Sequence, residues 1–251
     1  MLTLIGIGLD NEKDITIKGL EAVKKADFVY LENYTSKLNC PVSALEKLYG
    51  KKIILADRDL VESRADEILE KAKTKNVAFL VIGDPFGATT HSDLFLRAKG
   101  EGIEIKIIHN ASIINAIGEV GLQLYKFGKT TSLVYPEDKY MPKSAYNIIK
   151  ENKSIGAHTL VLLDIKSNKM RYMTANEAIN LLLDIEAKRK EKIFTEDTLC
   201  AGVARIGSEN QKIKSGSAKK LLNEDFGSPL HALIVPGKLH FVEEDMLKQW
   251  E

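Results

Sequence analysis

Cysteine is nearly missing from this chain. Its 251 residues include two, Cys40 and Cys200, far apart in sequence and outside any C-x-x-C. That spacing excludes a disulfide framework and a thiolate zinc cluster, and fits a reduced, intracellular protein. An excess of one charge is missing too: 36 Lys and Arg stand against 35 Asp and Glu, a net charge of +1. No global field therefore draws the chain to nucleic acid or to a membrane surface. The opening MLTLIGIGLDNE is apolar for only about nine residues, too short for a membrane span, and it lacks the basic start of a signal peptide. The expectation is a cytoplasmic protein. Several catalytic signatures are also absent. His91, His109, His158, His231 and His240 form no HExxH, no i/i+4 pair and no Cys/His set, so no metal site is expected. There is no G-x-S-x-G and no Walker A loop, and no internal repeat or low-complexity segment.

What is present is an alternation. Leu2–Gly8 reads as a buried strand, Asp14–Lys25 as a helix with Asp14 as its N-cap and Ile17, Leu20 (or Gly19) and Val23 at helical spacing, and Asp27–Leu31 as a second strand. The Gly6-x-Gly8 turn lacks the third glycine of a dinucleotide fingerprint, so it shows only that the backbone approaches something closely there. A short helix near Val42–Leu48 and a strand over Lys52–Ala56 follow. Asp59–Lys73 carries Val61, Ala65, Ile68, Leu69 and Ala72 on one face and reads as one amphipathic helix. Then come strand Val77–Ile82, a helix from Ser92 to about Lys99, strand Ile103–Ile108 and a helix over Ile113–Val120. Strands alternating with helices predict a mostly parallel sheet covered on both faces.

Gly121–Pro136 breaks the rhythm, with Tyr125, Phe127 and Tyr135 beside Lys126 and Lys129, and a structural role is the simpler reading. A second α/β unit follows: helix Pro142–Lys150, strand Thr159–Ile165, a helix from a Thr174/Glu177 capping box to about Lys190, and strands Leu199–Ala204 and Leu230–Val235. Gly207–Gly216 reads as a hairpin or exposed loop. The boundary falls around residues 110–125, giving domains 1–115 and 116–251.

The stretch that organises the chain is Val77–Leu94, VAFLVIGDPFGATTHSDL. Six apolar residues stop at Gly83-Asp84-Pro85, and a small hydroxylated loop leads into the helix at Ser92. Ligands of open α/β sheets collect at the carboxyl ends of strands. The residues thus outline a cleft lined by Gly8-Leu9, Gly83–Thr90, Asn110–Ile113 and Leu162–Asp164. Glu32, Asp84 and Asp164 each stand beside a strand end, where a carboxylate can bind a ligand or merely cap a helix. No acid–base or nucleophilic set stands out. That suits a reaction whose cofactor carries the activated group while the protein supplies position and desolvation.

Five segments carry a family resemblance: MLTLIGIGL, DITIKGLEAVKKADFVYLENYTS, GDPFGATTHSDL, IHNASIINAIGEVGLQLYKFG and DFGSPLHALIVPGKLHFVEEDML. Together they resemble the archaeal and eukaryotic diphthine synthases, S-adenosylmethionine-dependent methyltransferases of the tetrapyrrole-methylase fold. The resemblance implies two α/β domains with the cofactor in the cleft between them, and a homodimer. By matching position it places the cofactor against Leu9, Asp84, Gly87, Ser112, Ile113, Leu163, Ala204 to Ile206, and His231. The implied substrate is elongation factor 2 bearing a 3-amino-3-carboxypropyl-histidine, whose amino group is trimethylated with release of S-adenosylhomocysteine. No catalytic side chain is nominated, although His91 or Glu32 could assist. GIGLDNE and HNAS depart from the Gly-Asp-Pro and Pro-Gly-x-Ser of the wider superfold. Two rivals remain at this point: a corrinoid or tetrapyrrole-precursor methyltransferase of the same fold, and a non-catalytic module that binds the elongation factor.

Overall fold

Residues 1–137 and 141–251 are described in the computed structural model, and the chain divides into two units, Met1–Ala116 and Ile117–Glu251. The first unit runs β1 (Leu2–Gly6), α1 (Ile17–Lys25), β2 (Phe28–Glu32), α2 (Val42–Tyr49), β3 (Ile54–Ala56), α3 (Arg58–Glu62), α4 (Asp66–Thr74), β4 (Val77–Val81), α5 (Ser92–Gly100), β5 (Ile105–Ile108) and α6 (Ile113–Ala116). Its strands form one sheet in the order β3-β2-β4-β1-β5, and every pairing in it is parallel. Successive residues of a strand point to opposite faces, and the core divides accordingly. Leu2, Leu4, Phe79 and Val81 pack with Ile68, Leu69 and Leu94 on one face. Ile5, Ile7, Ala78 and Leu80 pack with Val23, Leu45 and Tyr49 on the other. All residues of β1 and β4 are buried, as expected for central strands covered on both faces.

Three readings of this unit are corrected. Thr16, not Asp14, caps α1: its hydroxyl accepts from Gly19 N at 3.0 Å. Asp14 ends a short 3-10 turn instead, and its carboxylate faces the loop after β1. On α1 itself Gly19 and Val23 are buried, whereas Ile17 is 80% exposed. The helix expected over Asp59–Lys73 is two helices. Asp57 caps α3 through a 2.8 Å bond from Leu60 N, and the chain turns at Ser63–Ala65 before α4. The apolar face continues across that break, with Val61, Ala65, Ile68, Leu69 and Ala72 all buried, which is why periodicity did not reveal it. The segment Ile113–Val120 is α6 followed by a 3-10 turn over Ile117–Val120.

The second unit contains β6 (Thr131–Leu133), α7 (Ser144–Ser154), β7 (Thr159–Leu163), β8 (Ile165–Lys166), β9 (Arg171–Tyr172), α8 (Ala175–Arg189), β10 (Leu199–Ala204), β11 (Lys212–Ser217), α9 (Ala218–Leu221), β12 (His231–Val235) and α10 (Phe241–Lys248). Its main sheet has the order β11-β10-β12-β7-β6. Here the sheet is mixed: only β6 and β7 run parallel, and the other three pairings are antiparallel, including the β10–β11 hairpin that contains most of Gly207–Gly216. Composition does not distinguish the two arrangements in a fully buried strand. The short connection from β10 to β11 forces a hairpin, since a parallel neighbour needs a crossover of a dozen or more residues. The Thr174 and Glu177 capping box opens α8 with both of its hydrogen bonds made.

Candidate active site

In the first unit the loops after β1, β4 and β5 meet at the carboxyl ends of adjacent strands. Gly8 and Gly83 pair across the first two loops, with Gly83 N donating to Gly8 O at 2.7 Å. Gly8 sits at φ +83, and a Cβ there would lie 2.3 Å from Asp14 Cβ, so this turn admits no side chain. Asp14 Oδ2 accepts from Leu9 N at 3.1 Å and from Asp10 N at 2.7 Å. Asp10 in turn accepts from the Asn39 side chain at 2.8 Å. The carboxylate read as a helix cap is thus the tie that shapes the Leu9 turn.

Asp84 is the hub of the second loop. Its Oδ1 accepts from Phe86 N at 2.9 Å. Its Oδ2 accepts from His109 Nδ1 at 2.7 Å and from Asn110 N at 3.2 Å. Burial alone pushes the Asp84 carboxyl up, but the bonds from Phe86, His109 and Asn110 outweigh it and hold the group below the ordinary carboxylate range. It is therefore ionised at neutral pH. Gly87 N closes a turn onto Asp84 O at 3.1 Å, and the Gly87 α-carbon packs on Ser112, where a Cβ would meet Oγ at 2.7 Å. Asn110 Nδ2 reaches Gly6 O at 3.0 Å and Asp14 O at 2.9 Å, fastening the third loop to the first. Ser112 is buried and Ile113 half-buried at the start of α6. Leu9, Asp84, Gly87, Ser112 and Ile113 thus form one constellation. Asn110, already expected in the cleft lining, joins it, and so do Asp14 and His109, which were not. Asp14 holds Leu9 and Asp10, five and four residues back, while His109 and Asn110 reach Asp84 and Gly6, 25 and 104 residues away, which no local pattern reports.

In the second unit Leu163 closes β7, Ala204 closes β10 and His231 opens β12. Ala204 stands opposite His231 in the antiparallel register, and Leu162 opposite Ala232. These residues therefore share one end of the sheet, with Ile206 two positions beyond Ala204. All four are buried. His231 Nδ1 accepts from Ala175 N at 3.2 Å, leaving Nε2 to donate to Ser228 O at 3.0 Å. Burial lowers the His231 pKa, so the ring is neutral with both nitrogens engaged. Asp164, one of the three strand-end carboxylates, accepts from Tyr135 N at 3.0 Å.

His91 and Glu32, the side chains that could assist, are both buried. His91 is 1% exposed, and its Nδ1 donates to Pro85 O at 3.2 Å. Its Nε2 is buried without a partner among the described residues, and burial lowers its pKa. Glu32 is fully buried and accepts from Thr35 Oγ1 at 2.5 Å and Thr35 N at 3.2 Å. Burial raises its pKa against those bonds. Both side chains hold loops in place.

A model of the family Tetrapyrrole (Corrin/Porphyrin) Methylases matches residues 1–222. The diphthine methyl ester synthase of Homo sapiens is 49% identical over 98% of this chain and 94% of its own length. The diphthine synthase of Methanocaldococcus jannaschii is 51% identical over 99% of this chain and 98% of its own. A crystal structure assigned as a diphthine synthase from Entamoeba histolytica superposes with a TM-score of 0.93, at 50% identity, over 100% of this chain and 98% of the other.

The chain belongs to the diphthine synthase branch of the tetrapyrrole methylases. Members of this family are methyltransferases, and this one acts in diphthamide biosynthesis. Among the described residues no group of His, Cys, Asp and Glu is arranged to hold a metal ion, and no helix is long and apolar enough to cross a membrane.

Proposed function

We propose that this methyltransferase moves three methyl groups in succession from S-adenosylmethionine to the amino group of a 3-amino-3-carboxypropyl-histidine on elongation factor 2, yielding diphthine. The observation that carries this reading is the full-length match, near 50% identity, to diphthine and diphthine methyl ester synthases. Leu9, Asp84, Gly87, Ser112 and Ile113 of the first unit hold the cofactor, together with Leu163, Ala204, Ile206 and His231 of the second. The chemistry of the first set supports this assignment. It offers backbone groups, small side chains and one ionised carboxylate, Asp84, to a ligand that carries an ammonium and a sulfonium. The close packing of Gly87 on Ser112 keeps the two loops of that cradle in contact. We further infer a cytoplasmic homodimer. The free thiols of Cys40 and Cys200 suit a reducing compartment.

When bound, S-adenosylmethionine supplies a methyl already activated for attack. The chain's own task is alignment and exclusion of water. The nucleophile is an α-amino group with a reference pKa of about 8, so a usable fraction is neutral near pH 7. No general base is needed, in keeping with the burial of His91 and Glu32.

A second reading adds a fourth methyl, on the carboxylate, and is favoured by the relatives named methyl ester synthases at 49–50% identity. Mass spectrometry of elongation factor 2 bearing the aminocarboxypropyl-histidine, after incubation with this protein and S-adenosylmethionine, separates the readings. Three added methyls support diphthine formation. A fourth that is lost in mild base indicates the ester. No gain with the cofactor still bound refutes the substrate assignment and turns attention to tetrapyrrole precursors.

A further inference from the structure

Phe86 is the one large apolar side chain in the Gly83–Thr90 loop, and it is 39% exposed. Its ring meets Phe95 of α5 edge-on, with centroids 6.2 Å apart and planes at 77°. It meets His109 at 6.5 Å and 54°. His109 is 68% exposed and is held by Asp84 Oδ2 at 2.7 Å. These rings come from a loop, a helix and a strand end. Neither phenylalanine belongs to the hydrophobic clusters on the two faces of the sheet. Aromatic faces gathered beside a carboxylate are the arrangement that recognises alkylated ammonium groups. The Asp84 carboxylate holds the His109 ring in its place in this group through the 2.7 Å bond to Nδ1.

We propose that Phe86, Phe95 and His109, backed by the Asp84 carboxylate, form a subsite for the methylated ammonium of the substrate side chain and retain it between successive methyl transfers. This rests on the trimethylation reading above. In each transfer the nitrogen lone pair bonds to the methyl carbon while the carbon–sulfur bond breaks and its electron pair stays on sulfur. The new ammonium then loses a proton to water before the next round. Every round replaces one N–H by a methyl, so hydrogen-bond acceptors lose their hold just as the reaction advances, and the last product has no N–H at all. Ring faces need no donor. Their attraction persists through all three rounds, which is what repeated methylation of one nitrogen requires.

Two measurements test this. Nuclear magnetic resonance of the intact protein follows the His109 ring during titration with tetramethylammonium chloride, against ammonium chloride at equal ionic strength. Tetramethylammonium is expected to shift His109 beyond the ammonium control in the wild type and not in Phe86→Leu. Second, Phe86→Leu is expected to keep its affinity for S-adenosylhomocysteine within about twofold while shifting products toward mono- and dimethylated forms. Its later transfers slow by roughly 2- to 5-fold, the range expected for one exposed cation–π contact. Phe86→Tyr restores the wild-type pattern, which separates loss of the ring face from loss of bulk. Absence of the tetramethylammonium shift overturns the subsite, and so does an unchanged product distribution in Phe86→Leu. If the wild type methylates no elongation factor 2 yet shows the shift, the substrate reading falls and the subsite stands.

Discussion

Glu186, in the last turn of α8, offers the sharpest test of the packing in the second unit. Its Oε2 accepts from Tyr146 Oη at 2.7 Å, Ile193 N at 2.8 Å and Phe194 N at 3.0 Å, and its Oε1 accepts from Lys192 N at 2.7 Å. Burial opposes the charge, but the four donors prevail and bring the carboxyl down from 4.5 to about 2. Because the folded value is depressed, the stabilisation is complete above the unfolded pKa and is lost as pH falls toward the folded one. At about 1.4 kcal/mol per unit the shift corresponds to about 3 kcal/mol at pH 7. The residue is only 9% exposed, so little is deducted for solvent screening. Glu186→Gln keeps the shape but turns an NH2 toward donors. The expected outcome is a melting temperature lower by roughly 6–12 °C at pH 7, with less than half of the free-energy gap surviving at pH 3. Circular dichroism melts of both proteins at the two pH values decide it. An equal gap at both values, or none at pH 7, refutes the reasoning.

Three further outcomes are expected around the first unit's loops. Asp84→Asn leaves one oxygen for three donors, and calorimetry with S-adenosylhomocysteine should read a loss of about tenfold or more in affinity; an unchanged Kd removes Asp84 from the cofactor site. Asn110→Ala strands Gly6 O and Asp14 O, and urea unfolding should show a loss of about 2–3 kcal/mol; wild-type stability would mean that water replaces the amide fully. Gly87→Val drives a side chain into Ser112 and should abolish cofactor binding with the far-ultraviolet spectrum intact; retained binding would show that this contact is dispensable.

The sequence revealed whatever is written locally. The Thr174/Glu177 box, the start of α5 at Ser92 and the span of β10 over Leu199–Ala204 all depend on residues within a turn of one another. A hairpin after β10 was one reading of Gly207–Gly216, but the direction of β12 was not legible, because His231–Val235 is buried throughout and carries no alternation to set it apart from a parallel strand. The candidate site divided along the same line. The GDPFGATTH loop announces itself by its glycines and its position after an apolar run. Asp14, His109 and Asn110 acquire their roles only once three strand ends are brought side by side, and Asp14 was misread because a carboxylate ahead of a helix ordinarily caps it.

The Gly8–Gly83 pairing has a consequence for how such a protein can diverge. A methyl group at Gly6 would lie 2.6 Å from Gly83 O and 2.9 Å from Asn110 Cβ, so three strand ends interlock with no slack. Such a knot cannot be edited one residue at a time. A side chain added at Gly6 demands matching changes in the other two strand ends. Variation in what the enzyme accepts is thereby pushed outward, to positions such as Phe86 whose side chains clear the knot.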